Sequence, residues 1–164
     1  VLVQDFVDVP LPIDAVERIL VRSDDMSTWA AAAYQRGERL AVGPGVAGVT
    51  AAVELEVGEP IRFTESLSIP IAWRAANAEK LFPHMEAEIV ITPLTHSVTH
   101  LTFRGSYTPP FDSFGELLDR LAMHRIAEAT VRNFMERLAG AVIENAEQLG
   151  VEPELGDDGG SARG

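Results

Sequence analysis

Apolar and polar residues alternate along five stretches of the chain, and its last third changes to helical spacing. Val3, Val7 and Val9 predict a first strand over 1–9. Val49, Ala51, Val53, Leu55 and Val57 share one parity while Thr50, Glu54 and Glu56 take the other, the mark of a strand with one wet face. Gly58-Glu59-Pro60 turns the chain. Ile61, Phe63, Leu67, Ile69, Ile71 and Trp73 then repeat the alternation against Arg62, Thr64, Ser66, Ser68 and Arg74. Pro70 lies on the polar parity and requires an edge position or a break, because it has no amide hydrogen to give a neighbour. Met85, Ala87, Ile89 and Ile91 alternate with Glu86 and Glu88, and Leu101, Phe103, Gly105 and Tyr107 with His100, Thr102, Arg104 and Ser106. Short connections make these strands antiparallel neighbours.

Helices fill the remainder. Pro10 ends the first strand, Pro12 fits the first turn of a helix, and Val16, Ile19 and Leu20 recur at helical spacing. A second short helix is predicted from Asp24 to about Gln35, with Asp24 and Asp25 near its positive end and Gly37 as its exit. After Pro109-Pro110, Ser113 and Glu116 form a capping box. The helix it opens runs to about Gln148, roughly 50 Å at ~1.5 Å per residue. Its apolar stripe is Ala127, Thr130, Val131, Phe134, Leu138, Ala141 and Val142. Between Phe114 and Ala122 the apolar residues centre on another side, which predicts a bend or offset near the helix start, around Gly115 to Ala122. The inward-facing set read from both periods includes Val49, Val53, Leu55, Phe63, Met85, Ile89, Leu101, Phe103, Ala127, Phe134 and Leu138.

Composition narrows the class. The chain has 164 residues, 46% of them hydrophobic and 23% charged, which suits one folded domain. Its net charge of -12 repels phosphate backbones and anionic lipid, so no nucleic-acid partner is expected. With 0 Cys there is no disulfide and no thiolate site, in keeping with the cytoplasm. Asp5 and Asp8 among the first valines argue against a secretory signal, and no apolar run reaches the ~18 residues of a membrane span. Residues 150–164 hold five Gly and four acids and predict a disordered acidic tail, leaving 1–149 as the domain.

Candidate chemistry is sparse. Gly43 to Gly48 matches GxGxxG, but it opens a strand and Pro44 removes an amide, so it reads as a turn. Of the four histidines, His84, His96, His100 and His124, the pair His96 and His100 has neither HExxH spacing nor a carboxylate at ligand spacing, and no metal or cofactor is expected. His96 and His100 fall on the wet side, whereas His124 borders the helix stripe one turn after Arg120, facing either a cavity or ordinary core and surface. Glu54/Glu56 and Glu86/Glu88 share the polar face with Arg62, Arg74 and Arg104, where cross-strand charge pairing explains them at about 0.2–1 kcal/mol per contact. Glu65 shares the inward parity, so it is either a cavity carboxylate with a raised pKa or, if a bulge near Ser66 turns it, a solvated one. Trp73 and Tyr107, on the inward parity, serve equally as core or as cavity wall with a polar tip. No GxSxG elbow supports a nucleophile.

The element order, together with Val7-Asp8-Val9-Pro10, Trp29, the stretch from Leu101 to Pro110, Asp119-Arg120, His124-Arg125-Ile126-Ala127 and Thr130-Val131-Arg132-Asn133-Phe134, resembles the START/Bet v 1-like (SRPBCC) superfamily, in its bacterial polyketide cyclase/dehydrase-like branch, over about residues 1–147. That resemblance implies an α+β helix-grip fold, a curved antiparallel sheet wrapped around a long C-terminal helix with two short helices after the first strand. It also implies a mostly apolar cavity for a lipid-, polyketide- or aromatic-like molecule. Glu65, Trp73, Tyr107, Arg120 and His124 are the candidate ligand-binding residues, in a monomer or homodimer. Three functions follow as alternatives: a binding module without covalent chemistry, an aromatase/cyclase- or dehydratase-type enzyme using the same polar groups for proton transfer, and a co-chaperone or toxin-type protein without a small ligand.

Overall fold

The alternating segments pair in one antiparallel sheet. The computed structural model describes residues 1–22, 53–75, 84–108 and 117–150. Its elements are β1 (Leu2–Val9), α1 (Ile13–Arg22), β2 (Val53–Val57), β3 (Ile61–Arg62), β4 (Leu67–Ala75), β5 (His84–Pro93), β6 (Thr99–Thr108) and a long helix, α2 (Leu117–Gln148). The strand order is β1-β6-β5-β4-β2, with β3 also on β4. The second short helix, the Gly43–Gly48 turn, Trp29, the Ser113–Glu116 cap and the predicted tail lie outside the described residues.

Register explains why one parity is dry. Val3 stands opposite Gly105, Gly105 opposite Ala87, and Ala87 opposite Ile71, so odd-numbered residues share a face across four strands. On that face Val3, Val9, Leu67, Ile69, Ile71, Met85, Ile89, Ile91, Leu101, Phe103 and Tyr107 are buried. Helix α2 lays Ala127, Thr130, Val131, Phe134, Leu138 and Val142 on it, chiefly along β1, and adds Met135, Ala139 and Ala146. Helix α1 buries Val16, Ile19 and Leu20 against α2 and β5. Pro12 stands just outside α1, its carbonyl accepting from the amides of Ala15 (3.0 Å) and Val16 (3.3 Å). The long helix is continuous from Leu117 to Gln148; Gly115 and Glu116, the start of the region where the pattern predicts a bend, lie outside the described residues.

Two expectations about the middle of the chain are corrected. Phe63, expected inside, is 57% exposed, and Ile61 is 51% exposed. The cause is a one-residue bulge. Val57 faces Ile71 and Ile61 faces Ser68, which makes four steps along β2–β3 against three along β4. The extra residue, in Gly58-Glu59-Pro60, turns every later side chain over, so Arg62 shares the inner side with Leu67 and Ile61 the outer side with Ser68. Phe63 and Glu65 belong to the loop between β3 and β4, closed by the Phe63 amide donating to the Ser66 carbonyl at 2.8 Å. The bulge also accounts for Pro70. Its carbonyl accepts from the Gly58 amide at 2.8 Å, and its missing N–H falls at the break between β2 and β3. A Cβ on Gly58 would come within 3.1 Å of the Pro70 ring, so this contact suits glycine.

The outer face carries the expected polar parity with altered partners. Glu54 lies opposite Arg74, and Glu88 opposite Arg104. The Ser68 hydroxyl donates to Glu88 at 2.7 Å. Arg62, carried to the inner side, donates instead to both carboxylate oxygens of Glu17 on α1, at 2.6 and 3.2 Å.

Candidate functional site

Tyr107 is the group from which the site is built. Near the end of β6, on the inner parity and opposite Met85, it is 2% exposed. Burial pushes its phenol above the usual range, and the charge of Glu128 on α2 adds to the rise. One turn earlier on the same helix, His124 sets Nε2 3.3 Å from Oε1 of Glu128. The two side chains are 38% and 53% exposed, whereas Tyr107 is buried. Nδ1 of His124 is buried and has no hydrogen-bond partner.

The other candidates divide. Trp73 stands opposite Met85 on β4, so Trp73, Met85 and Tyr107 form one row across three strands. At about 4.8 Å per strand the backbones of Trp73 and Tyr107 are roughly 10 Å apart. Arg120 lies on α2 one turn before His124; its side chain, like that of Trp73, lies outside the described set. Glu65 is exposed in the β3–β4 loop, beyond the Leu67 end of β4, about 20 Å along the strand from Trp73. The solvated alternative is the one realised there, and the structure does not bring Glu65 to the others. Glu128 was absent from the sequence-derived set, although its spacing from His124 put both on one helix face.

His84 repeats the arrangement of His124: its Nε2 lies 3.3 Å from Glu86, and its Nδ1 is buried without a hydrogen-bond partner. On the outer face His100 places Nδ1 2.6 Å from Asp8, with its ring 5.2 Å from that of Phe6. His96 is exposed between β5 and β6. Among the described residues no three His, Cys, Asp or Glu side chains gather as metal ligands, and no helix is long and apolar enough to cross a membrane.

The raised phenol pKa has a consequence for stability. The folded chain holds the Tyr107 proton more tightly than the unfolded chain, so its contribution is whole below about pH 10. It is lost as the pH rises through the folded value. Urea unfolding at increasing alkaline pH should show stability falling in the parent, with a shallower fall in Tyr107→Phe. Identical slopes would mean that Tyr107 ionises as freely in the folded protein as in the unfolded one.

No protein-family model and no curated protein matches the chain. Solved structures do. A conserved protein from Geobacillus kaustophilus is 15% identical, with 88% of this chain and 97% of that one covered at a TM-score of 0.54. The Zhui aromatase/cyclase from Streptomyces sp. R1128 is 13% identical, with 93% and 98% covered at 0.52. A protein from Mesorhizobium loti is 16% identical, with 88% and 98% covered at 0.52. At these identities the likeness is one of fold. The chain shares the helix-grip fold of that aromatase/cyclase, α+β, with an open antiparallel sheet and a long C-terminal helix.

Proposed function

We propose that the protein binds a small hydrophobic molecule between the inner face of the sheet and α2, oriented by Tyr107 and His124, with Trp73 and Arg120 on the same end of the fold. The observation that supports this is a buried phenol on β6 and an imidazole on α2 with a buried, unpartnered nitrogen, on elements that enclose an apolar inner face. Apolar contact alone is insufficient. Burying about 300 Å² gains roughly 7.5 kcal/mol at ~25 cal/mol per Å². Lost translational and rotational freedom takes back ~4 kcal/mol or more. Micromolar or tighter binding therefore needs polar contacts, and Tyr107 and His124 supply them. In this proposal the protein works in the cytoplasm, as a monomer or homodimer, without a nucleic-acid partner.

Native mass spectrometry of the purified protein tests the proposal. A co-purifying apolar compound of a few hundred daltons, lost on denaturation, is the expected result. A preparation that is empty and also takes up no added hydrophobic compound would overturn it.

One observation favours a second reading, an aromatase/cyclase- or dehydratase-type enzyme. A carboxylate that holds one nitrogen of an imidazole and leaves the other free is the arrangement of a general base, and Tyr107 could donate to a carbonyl oxygen. Turnover of a bound β-keto compound that His124→Ala abolishes while binding persists would select it.

A further inference from the structure

Strand β1 ends the sheet, with β6 on one side and, among the described residues, no strand on the other. The ladder shows which backbone groups are left over. Val1 and Tyr107 exchange both hydrogen bonds: the Tyr107 amide donates to the Val1 carbonyl at 2.9 Å, and the Val1 nitrogen to the Tyr107 carbonyl at 2.8 Å. In an antiparallel pair every second residue bonds its neighbour in this way. Val3, Asp5, Val7 and Val9 therefore bond to β6, and the N–H and C=O groups of Leu2, Gln4, Phe6 and Asp8 point out from the edge. These outward residues are exposed, Leu2 by 81% and Phe6 by 63%. Free edges are ordinarily blunted by lysine, proline or a bulge. The eight residues of β1 include no Lys, Arg or Pro, and their register runs unbroken from Leu2 opposite Ser106 to Val9 opposite Thr99.

The charges of β1, Asp5 and Asp8, decide what can dock there. A second copy added edge to edge sets the same acids on adjacent strands, in a chain of net charge -12, and like charges across strands destabilise the pairing. A basic strand meets the opposite field. With apolar side chains on the side of Leu2 and Phe6 and cations on the side of Asp5, it matches both faces of the edge. We propose that the β1 edge is a docking site for an extended basic segment of another protein, which joins the sheet as an added strand bonded to Leu2, Gln4, Phe6 and Asp8. This interaction is independent of the small molecule proposed above.

Three blocked peptides of the same length, titrated at low salt and followed by two-dimensional NMR, test it: lysine alternating with valine, glutamate alternating with valine, and lysine alternating with proline. The lysine–valine peptide should bind saturably. At saturation it should slow amide hydrogen exchange at Leu2, Gln4, Phe6 and Asp8 at least tenfold and leave Val3, Asp5 and Val7, already bonded to β6, as they were. The valines lie opposite Leu2 and Phe6 and are the residues that bond to the edge. The proline peptide keeps the charge and loses those donors, and the glutamate peptide reverses the charge; each should bind at least tenfold more weakly. Gln4→Pro deletes one outward amide without removing a bond to β6, so it should weaken the lysine–valine peptide about tenfold, the size of one net hydrogen bond, with little change in melting temperature. Equal binding of the proline peptide would reduce the attraction to charge alone and overturn the proposal. So would tighter binding of the glutamate peptide, or no slowing at the outward amides with any peptide. Protection of those same amides on concentrating the protein alone would make a second copy the occupant and also overturn it. The peptide comparison is made on the unaltered protein and decides even where Gln4→Pro folds poorly.

Discussion

Phe134→Ala is expected to cost about 3–5 kcal/mol of folding stability, the range for truncating a buried phenylalanine. Phe134 is 0% exposed and lies in the middle of the α2 stripe. Its ring meets that of Phe103 edge to face, centroids 6.1 Å apart and planes at 71°. Phe103 is on β6, between Asp5 of β1 and Ile89 of β5, so this pair ties the helix to the middle of the sheet. Truncation removes the transfer free energy of the ring and leaves a hole lined by groups that hydrogen-bonded strands hold in place. Domains of this kind have about 5–15 kcal/mol in total, so the variant should melt on the order of 10 °C lower. A variant that melts like the parent would place Phe134 outside the core and remove the Phe103–Phe134 contact between helix and sheet.

Gly105→Ala and Gly140→Ala are expected to have opposite signs. In both cases alanine narrows the unfolded ensemble, a gain of about 0.4–1 kcal/mol where the native backbone accepts it. At Gly140, on the exposed side of α2, an added Cβ meets nothing within 4 Å, so the variant should be stabilised by that amount. At Gly105, on the inner face of β6, the same atom would sit 2.7 Å from the edge of the Phe103 ring and 3.0 Å from Cβ of Ala87. That ring cannot swing aside, because Phe103 is itself 0% exposed and packed on Phe134. Crowding of this kind costs about 1–3 kcal/mol and outweighs the gain. Thermal melts of the two variants beside the parent check the signs; stabilisation by Gly105→Ala would mean that the inner face has slack next to Phe103.

Most of the sheet was legible because its geometry preserves parity. Pairs such as Val3 and Gly105, Met85 and Tyr107, and Leu67 and Ile91 join odd residues to odd, so one rule serves β1, β4, β5 and β6. The helix stripe from Ala127 to Val142 was legible for the same reason at another period. What failed was a local count. The bulge at Gly58-Glu59-Pro60 shifts register by one, yet Ile61 and Phe63 continue the numerical alternation into Leu67, so nothing in the pattern marks the reversal of faces. Pro70 did signal a break, but its partner Gly58 is recognisable only once the strands are paired. Arg62 was read beside the outer glutamates for the same reason, whereas its partner Glu17 lies 45 residues away on α1. At the site, Tyr107 and His124 could be singled out by parity and stripe. Glu128 was passed over because an exposed helical glutamate is ordinary; only its 3.3 Å ion pair with His124 distinguishes it.

In the function proposed above, a small apolar molecule binds between the inner face and α2 at the Tyr107 end. Two-dimensional NMR of the isotope-labelled protein titrated with naphthalene tests it most directly, since each backbone amide reports its own surroundings. The expected result is saturable shifts at Trp73, Met85, Tyr107, His124 and Glu128, with Phe6, Ser68, Glu88 and Arg104 on the outer face unmoved. Shifts centred on Phe6 and His100, or none at saturating naphthalene, would contradict it.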